Sequence, residues 1–333
     1  MNPSTAKVVR FYETGNASVL KIEDQPVNDP GEHELRIKVE AIGINRAEVM
    51  FRNGAYLEAP QFPSRLGYEA AGRVDAIGKQ VTDFKVGDRV STIPAFSMGQ
   101  YGVYAEYAVV PTHAVARCPD SLTMQQSVAI WMPYMTAYGA LIVIGQLTQG
   151  QHVIITAASS SVGVAAIQIA KSVGAIVIAT TRGESKKPFL LDQGADHVIQ
   201  TDSEDLVARM TEINQDAGAE LIFDPIGGPL LNQLADVASK AGRIIEYGAL
   251  DKESTPYPLF SALAKGLTIR GYTLFEITQD KIKLEKAKNY LLPLFETQKL
   301  VPVIDKVFTF SQIQQAHEYM ESNQQIGKII VTV

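Results

Sequence analysis

A chain of 333 residues has room for about two domains of ordinary size, so it can bury a sizeable core. Its composition, with 46% hydrophobic and 20% charged residues, is that of a globular protein, and 30 basic against 36 acidic side chains give a net charge of −6. Without a surplus of cations, duplex nucleic acid is not an expected partner. The single cysteine, Cys118, excludes an internal disulfide and a multi-thiolate metal site, which is typical of a reducing compartment.

The amino-terminal residues predict a cytoplasmic protein, because Lys7 and Arg10 precede any long apolar run and no secretory core is present. A second stretch, 121–170, contains no Asp, Glu, Lys or Arg. Pro133 and several Gln and Gly interrupt it, so that no window of about 20 residues is continuously apolar. Buried strands and helices of a parallel sheet also lack charges, and we therefore interpret this stretch as core and expect no membrane partner.

Three segments of the chain differ in pattern. Residues 1–124 contain short strands, such as the alternating run 35–41, separated by Gly-Asp, Pro-Gly and Asn-Gly turns, which predicts a barrel-like antiparallel unit. Residues 125–273 alternate apolar strands with helix-length segments, which predicts a doubly wound parallel sheet. The strands predicted there lie at 152–156, 176–179, 221–223, 242–245 and 267–272. Residues 274–333 predict helices over 281–297 and 311–322 and strands over 303–310 and 328–333.

The turn after the first of these strands, residues 156–163, is called the phosphate turn below. Its spacing matches G-x-G-x-x-G at Ala158, Ser160 and Gly163, although only the last is a glycine. A strand, a tight turn and a helix start place backbone N–H groups and a positive dipole end where a pyrophosphate can bind. Small residues also pack such turns without any ligand, so the turn alone leaves both readings open.

Residues about 20 positions further along favour a ligand. An NAD site places an acidic residue there, whereas this chain has Thr-Thr-Arg-Gly at 180–183, followed by Lys186. The hydroxyl of Thr181 and the cations Arg182 and Lys186 suit a 2′-phosphate, which predicts NADP rather than NAD. The alternative is a solvated helix start, but cations are unfavourable at a helix N-terminus.

Eight motifs then follow one another in a familiar order, at 39–48, 67–74, 86–90, 104–107, 135–138, the phosphate turn, 223–228 and 327–331. Over nearly the whole chain they resemble the medium-chain dehydrogenase/reductase superfamily, and within it the zinc-free quinone oxidoreductase (zeta-crystallin-like) branch. The resemblance implies an α/β protein with a Rossmann sheet inserted into a GroES-like, mainly β catalytic domain. It places the catalytic domain at 1–124 and 274–333 and the NADP-binding domain at 125–273.

The resemblance also implies a function and a set of site residues. It implies hydride transfer from NADPH to a quinone or an α,β-unsaturated carbonyl in a cleft, with Tyr56 at the family's active-site tyrosine. We expect the side-chain amide of Asn45 and the hydroxyl of Tyr56 to donate hydrogen bonds to the acceptor oxygen; the alternative is that Asn45 only caps a turn and Tyr56 only packs. The implied cofactor contacts are Thr136, which faces the nicotinamide in the family, and Ser160, Ser161, Val162, Gly163, Thr181, Arg182, Lys186 and Gly248.

Departures from the superfamily pattern bear on metal and substrate. The zinc enzymes place metal ligands where this chain has Asn45, Tyr68 and Met132, so we expect no metal. In the phosphate turn Ser160 and Ser161 replace the Gly-Gly common in quinone reductases, and their hydroxyls could donate to a phosphate. Two alternatives remain open, an enoyl-thioester reductase and a non-catalytic NADPH-binding protein. The strand at 267–272 matches the edge that pairs with its twin in the family, which predicts a homodimer.

Overall fold

A computed structural model describes residues 4–333, so the first three residues of the amino-terminal segment considered above lie outside it. Fifteen strands lie within the described residues. In chain order they are β1 Thr5–Arg10, β2 Lys21–Pro26, β3 Glu34–Ile44, β4 Glu69–Ile77, β5 Arg89–Thr92, β6 Tyr107–Pro111, β7 Val115–Arg117, β8 His152–Ile155, β9 Ile176–Thr181, β10 His197–Gln200, β11 Ala219–Asp224, β12 Ala238–Glu246, β13 Thr268–Gly271, β14 Ile304–Thr309 and β15 Lys328–Thr332.

Twelve α-helices lie within the same described part of the chain. They are α1 Arg46–Arg52, α2 Met98–Tyr101, α3 Met124–Ser127, α4 Trp131–Tyr138, α5 Ser161–Ser172, α6 Lys187–Asp192, α7 Leu206–Asn214, α8 Leu230–Val237, α9 Leu259–Lys265, α10 Phe275–Thr278, α11 Lys281–Glu296 and α12 Ile313–Glu321. A π-helical segment, Gly139–Ile144, continues α4. The strands and helices predicted beyond residue 281 are confirmed to within two residues at each end.

The chain divides into two compact units. Unit 1 comprises the described residues up to Met132 together with Leu292–Val333, and unit 2 is Pro133–Leu291. Unit 1 is therefore built from both ends of the chain, whereas unit 2 is continuous in sequence. The functional domains predicted with limits at 124 and 273 stay a prediction.

Unit 2 contains a six-stranded sheet in the order β10-β9-β8-β11-β12-β13, and every pairing in it is parallel. The strand order runs outward from β8 in one direction and from β11 in the other. The direction in which successive strands are added to the sheet therefore reverses between β8 and β11, and this point is called the reversal below. In such a sheet the ligand site lies outside the carboxyl ends of the strands at this reversal. The predicted doubly wound parallel sheet is confirmed, and its reversal indicates where to look for a site.

Unit 1 contains a seven-stranded sheet in which β14, β15, β3, β4, β5 and β7 follow one another and β6 pairs with β3. Only β14 and β15 are parallel; the other pairings are antiparallel. A separate antiparallel ribbon joins β1 and β2. Because β15 pairs with β3, the carboxyl end of the chain lies beside the strand that leads into α1, and this pairing sets the position of Lys328.

The charge-free stretch 121–170 is largely buried, as predicted. In α4 the residues Trp131, Met135 and Ala137 are fully buried, and β8 is buried from Val153 to Ile155. Burying such side chains stabilises the core, because each Å² of apolar surface removed from water contributes about 25 cal/mol of free energy. No helix in the described residues is long and apolar enough to span a membrane.

Candidate functional site

The phosphate turn joins β8 to α5 at the reversal of the parallel sheet. Ser160 is the N-cap of α5, and its hydroxyl accepts a hydrogen bond from the backbone N–H of Gly163 at 3.0 Å. A Cβ on Gly163 would come within 2.4 Å of the carbonyl oxygen of Ala158, so glycine allows this close approach of helix and turn. Since the first N–H groups of a helix have no intrahelical acceptor, Ser161 and Val162 present theirs at the positive end of α5.

Cationic side chains follow the second strand of this sheet, at the positions predicted for a 2′-phosphate. The ammonium of Lys186 reaches the phosphate turn, where it donates to the hydroxyl of Ser159 at 3.2 Å. Arg182 is exposed and forms no ion pair with any described residue. Thr181 is buried at the end of β9, and the N–H of Gly183 donates to the carboxylate of Asp202 at 3.0 Å. The structure thus brings Lys186 to the turn and leaves Arg182 facing solvent.

A pair of carboxyl groups lies on the other side of the reversal. Asp224, at the end of β11, is fully buried and accepts hydrogen bonds from the hydroxyl of Thr156 and from the N–H of Gly227, the latter at 2.7 Å. Its register partner on β12 is Glu246, and the two side chains are hydrogen-bonded to each other. Burial and the neighbouring Asp224 raise the pKa of Glu246 to about 9, so Glu246 keeps a proton at neutral pH, which its hydrogen bond shares with Asp224.

Tyr247 is the next residue after β12, and it lies against this carboxyl pair. Its ring stacks on Phe223 with the centroids 3.9 Å apart and the planes 16° from parallel. The Tyr247 hydroxyl is hydrogen-bonded to Ser160, which joins the end of β12 to the phosphate turn. The Ser160 hydroxyl oxygen thus helps to hold the turn by accepting from Gly163, and its donation to a phosphate stays a prediction.

Two further predicted cofactor residues belong to the same unit. Thr136 lies in α4 and is 6% exposed. Gly248 follows β12, and a Cβ there would come within 2.8 Å of the carbonyl oxygen of Pro225, so the loop after β12 packs tightly on the loop after β11. Their contacts with a cofactor stay predictions.

Unit 1 contains a buried polar cluster, defined here as Asn45, Glu48, Glu69 and Lys328. Asn45 is the N-cap of α1, and its backbone N–H donates to Glu48 at 2.8 Å. The ammonium of Lys328 donates to the side-chain oxygen of Asn45 at 2.5 Å and forms an ion pair with Glu69. All four side chains are at most 6% exposed. Burial raises the pKa of Glu48 to about 7, which Lys328 partly offsets.

The side-chain amide of Asn45 is hydrogen-bonded within the polar cluster. Its nitrogen donates to Glu69 at 3.1 Å and to Glu48 at 3.2 Å, so both amide hydrogens are directed at carboxylates. The bond from Lys328 fixes the amide in this orientation, because an ammonium donates only to the oxygen end. The side chain is thus held inside the cluster, and donation by this amide to an acceptor oxygen stays a prediction.

Tyr56 lies in the loop after α1 and is half-buried. Its hydroxyl is hydrogen-bonded to that of Tyr68, which is buried just before β4. The ring centroids are 6.4 Å apart, and the backbone N–H of Tyr68 donates to Glu48 at 3.1 Å. The second tyrosine therefore links Tyr56 to the polar cluster.

The motifs of the sequence did not predict Lys328, Glu246 or Tyr247 as site residues, and they indicated Tyr68 only as a replaced ligand. Lys328 belongs to the carboxyl-terminal motif at 327–331, and Glu246 follows an apolar strand in a predicted parallel sheet. A charged residue at the end of such a strand is a signal that could have been used, since carboxyl ends of parallel strands meet at one edge.

Two known protein families match separate parts of the chain. Residues 31–120 match an alcohol dehydrogenase GroES-like domain. Residues 161–287 match a family described as zinc-binding dehydrogenase. The first match falls within unit 1 and the second within unit 2. The predicted combination of a GroES-like domain with a Rossmann sheet is thereby confirmed.

Full-length relatives support the same assignment. The human quinone oxidoreductase is 32% identical over 328 residues, which cover 98% of this chain and 97% of that protein. A structure of Escherichia coli quinone oxidoreductase complexed with NADPH has a TM-score of 0.92 at 27% identity, covering 98% of this chain and all of that one. A structure titled NAD-dependent alcohol dehydrogenase has a TM-score of 0.91 at 28% identity, with coverage of 98% and 99%. The chain belongs to the medium-chain dehydrogenase/reductase superfamily, in its quinone oxidoreductase branch, and is an oxidoreductase.

Proposed function

We propose that the chain uses NADPH to reduce quinones or α,β-unsaturated carbonyls by hydride transfer, without a metal ion. The observation that carries the proposal is the buried ammonium of Lys328, which lies on Asn45 and Glu69. The ammonium of Lys328 thus contacts Asn45, which stands at one of the positions where the zinc enzymes have a metal ligand. The cationic loop after β9 supports the choice of NADPH.

The residues of unit 2 fit a dinucleotide. The N-terminus of α5 offers the N–H groups of Ser161 and Val162 to a pyrophosphate. Arg182 and Lys186 would hold a 2′-phosphate. At the position where NAD sites have an acidic residue, this chain has Thr180, which does not repel a phosphate. NADPH held there supplies the hydride.

The residues of unit 1 do not fit zinc. Asn45, Tyr68 and Met132 offer an amide, a phenol and a thioether, in place of the thiolates, imidazoles and carboxylates that zinc prefers. No group of three or more His, Cys, Asp or Glu side chains within residues 4–333 could hold a metal ion. We derive no step through zinc.

The acceptor's oxygen gains negative charge during reduction and needs a hydrogen-bond donor. Tyr56 has the role of that donor, because its hydroxyl belongs to a half-buried side chain. Asn45 acts indirectly: it holds the polar cluster together at the start of α1, and α1 leads into the loop of Tyr56. A conjugated carbonyl spreads the incoming charge over several atoms, so one such donor suffices without a Lewis acid.

The proposal is tested by the oxidation of NADPH with a panel of quinones and enones, with NADH in parallel and with and without a chelator. We expect turnover of at least one conjugated acceptor with NADPH, weaker use of NADH and no loss on chelation. Elemental analysis that finds one tightly held zinc per chain, together with loss of activity on its removal, would contradict the metal-free reaction.

The same panel separates the two alternatives. Adding enoyl thioesters tests the first, because a thioester reductase would prefer them to simple enones by a large factor. Tight NADPH binding without oxidation by any acceptor would favour the non-catalytic protein. Both results would replace the proposed activity while leaving the family assignment intact.

We further propose that the chain forms a homodimer through β13. This strand is at the edge of the sheet, and the adjacent helix α9 exposes Leu259, Phe260 and Leu263, the second at 84%. Pairing with a second copy would cover both the strand edge and the apolar side chains. Light scattering should give twice the chain mass, and Phe260→Glu should lower it; a monomeric mass for the unaltered chain contradicts the proposal.

A further inference from the structure

The loop that carries Tyr56, residues 53–63, is held in place by side chains rather than by its backbone. No backbone group of residues 56–63 is hydrogen-bonded to another backbone group in the described part of the chain. Tyr56, Glu58 and Pro60 are half-buried, whereas the other residues of the loop are exposed. A loop without backbone pairing depends on such side chains for its position.

Glu58 connects this loop to the start of α2. Its carboxylate accepts a hydrogen bond from the hydroxyl of Ser97. Ser97 is the N-cap of α2, and its hydroxyl oxygen also accepts from the backbone N–H of Gln100 at 3.2 Å. It lies in the chain between Phe96 and Met98, which are both buried. The position of the Ser97 hydroxyl is therefore set by packing outside the loop.

A glycine in α2 leaves room for the Glu58 carboxylate. A Cβ on Gly99 would come within 3.0 Å of Oε1 of Glu58 and within 3.5 Å of the ring of Phe51. A side chain at position 99 would thus compete with the carboxylate for space. The hydrogen bond and the adjacent glycine together indicate a fitted contact between the loop and α2.

Tyr56 and Glu58 are attached to the same segment of unit 1. The ring of Tyr56 lies against that of Tyr68, with the centroids 6.4 Å apart, and the ring of Tyr68 lies against that of Phe96 at 5.8 Å. Phe96 directly precedes Ser97, the partner of Glu58. Because the two loop residues are only two positions apart, a displacement of Glu58 also displaces Tyr56.

We propose that Glu58 is a positioning residue for Tyr56: its hydrogen bond with Ser97 anchors the loop to the start of α2 and holds the Tyr56 hydroxyl within reach of the substrate's oxygen. The inference rests on the proposed function, because it requires Tyr56 to be the donor. Glu58 itself touches neither substrate nor cofactor in this role and acts only through the position of the loop. Loss of its hydrogen bond leaves the donor present but less often in place.

The anchor itself is tested without substrate. Incorporation of 3-fluorotyrosine at position 56 gives a fluorine signal that reports on the surroundings of this ring. We expect Glu58→Ala to move the signal toward that of an exposed tyrosine. Glu58→Gln should leave it nearly unchanged, because the glutamine carbonyl still accepts from Ser97.

Tyr101→Phe is the matched control for these variants. The hydroxyl of Tyr101, in α2, donates to Glu34 at 2.8 Å, and the ring packs against Phe96 with the centroids 6.0 Å apart. The substitution removes one side-chain hydrogen bond of α2 that does not involve the loop, and it keeps the ring. It should change neither the fluorine signal nor the reaction.

The positioning role is tested by the rate of hydride transfer in single-turnover reduction. Loss of the hydrogen bond in Glu58→Ala should slow this step about fivefold, and Glu58→Gln should restore most of the rate. In a Tyr56→Phe background, Glu58→Ala should cause no further slowing, because Glu58 acts only through Tyr56. The affinity for NADPH should be the same in all variants, which separates positioning from a general loss of structure.

Several results would overturn the inference. An unchanged fluorine signal in Glu58→Ala shows that the hydrogen bond does not anchor the loop. Equal slowing by Glu58→Ala and Glu58→Gln, or by Glu58→Ala with and without the Tyr56 hydroxyl, shows that the carboxylate acts in another way. A normal hydride step in Glu58→Ala beside a slow one in Tyr56→Phe refutes positioning but keeps the proposed donor. If Tyr56→Phe itself reacts at the normal rate, the proposed donor fails, and the positioning role of Glu58 fails with it.

Discussion

Each unit of the molecule has a pair of carboxyl groups at its candidate site, and the two units compensate the charge of these groups differently. In unit 1 Glu48 and Glu69 share a cluster with the ammonium of Lys328, which pairs directly with Glu69. In unit 2 Asp224 and Glu246 are hydrogen-bonded to each other, and neither forms an ion pair with a described Lys, Arg or His. One pair is compensated by a cation and the other by a shared proton.

The difference indicates which cation of the molecule can bind a ligand and which is bound to carboxylates of its own unit. Lys328 is buried on residues of its own unit, so it stabilises the fold and is not available to a ligand. In unit 2 Arg182 has no acidic partner among the described residues and remains exposed. A cation without a protein anion beside it can meet a phosphate at little desolvation cost. Substitution of the two cations should therefore affect different properties of the protein.

The largest expected effect is the loss of stability in Lys328→Met. Removal of one partner of a buried ion pair leaves Glu69 without a counter-charge, which costs about 3–5 kcal/mol of unfolding free energy. Urea denaturation of unit 1, followed by a probe such as the single tryptophan Trp131, measures the loss.

The double variant Lys328→Met with Glu69→Gln is the matched control. It removes both charges, and paired removal is often close to neutral. Recovery of most of the lost stability would support the assignment. A single variant as stable as the unaltered chain would show that the ammonium contributes nothing in the cluster.

An intermediate effect is expected for Arg182→Ala, and on affinity rather than stability. Loss of a charge-assisted hydrogen bond of about 1.5–3 kcal/mol weakens NADPH binding roughly 10- to 150-fold. NADH, which lacks the 2′-phosphate, should bind almost as before. Calorimetric titration measures both, and Lys240→Ala, which removes an exposed cation at the start of β12, serves as the control. Equal weakening of both cofactors would mean that Arg182 supports the fold.

The smallest effect is expected for Glu246→Gln, as a change in the pH dependence of stability. The pKa of Glu246 is raised from about 4.5 to about 9, so the folded chain keeps a proton that the unfolded chain releases. Stability therefore falls as the pH rises through this window. Glutamine keeps an N–H donor for Asp224 and cannot ionise, so the variant should lose less stability between about pH 5 and pH 9.

Denaturation series at several pH values measure this slope, with the exposed Glu253→Gln as the control. The effect is reduced by water, since Glu246 is only partly buried. Parallel curves for Glu246→Gln and the unaltered chain would contradict the shared proton.

The phosphate turn could be predicted from the sequence because its parts are adjacent in the chain. The strand, the turn, Gly163 and the start of α5 lie within about 20 residues, and backbone geometry alone gives them their property. The alternation of strand and helix likewise predicted the order of elements in unit 2. Such features depend on local pattern, which a single sequence contains.

The polar cluster could not be predicted in this way. The amide of Asn45 looks available in the sequence, but besides the nearby Glu48 it contacts Glu69 and Lys328, which lie 24 and 283 positions away and fold against it. Which hydrogen-bond donors remain available depends on packing between distant segments, and a motif does not record it.

The pairing of β15 with β3 has a consequence for the order of synthesis. Residues Pro133–Leu291 form a continuous unit, so unit 2 can fold on a nascent chain while the last strands of unit 1 are still untranslated. Unit 1 is completed only after unit 2, since Lys328 belongs to its strand β15. Until then the carboxylates of Glu48 and Glu69 have no ammonium beside them. The buried cation of this site is therefore synthesised 283 positions after the amide that it holds.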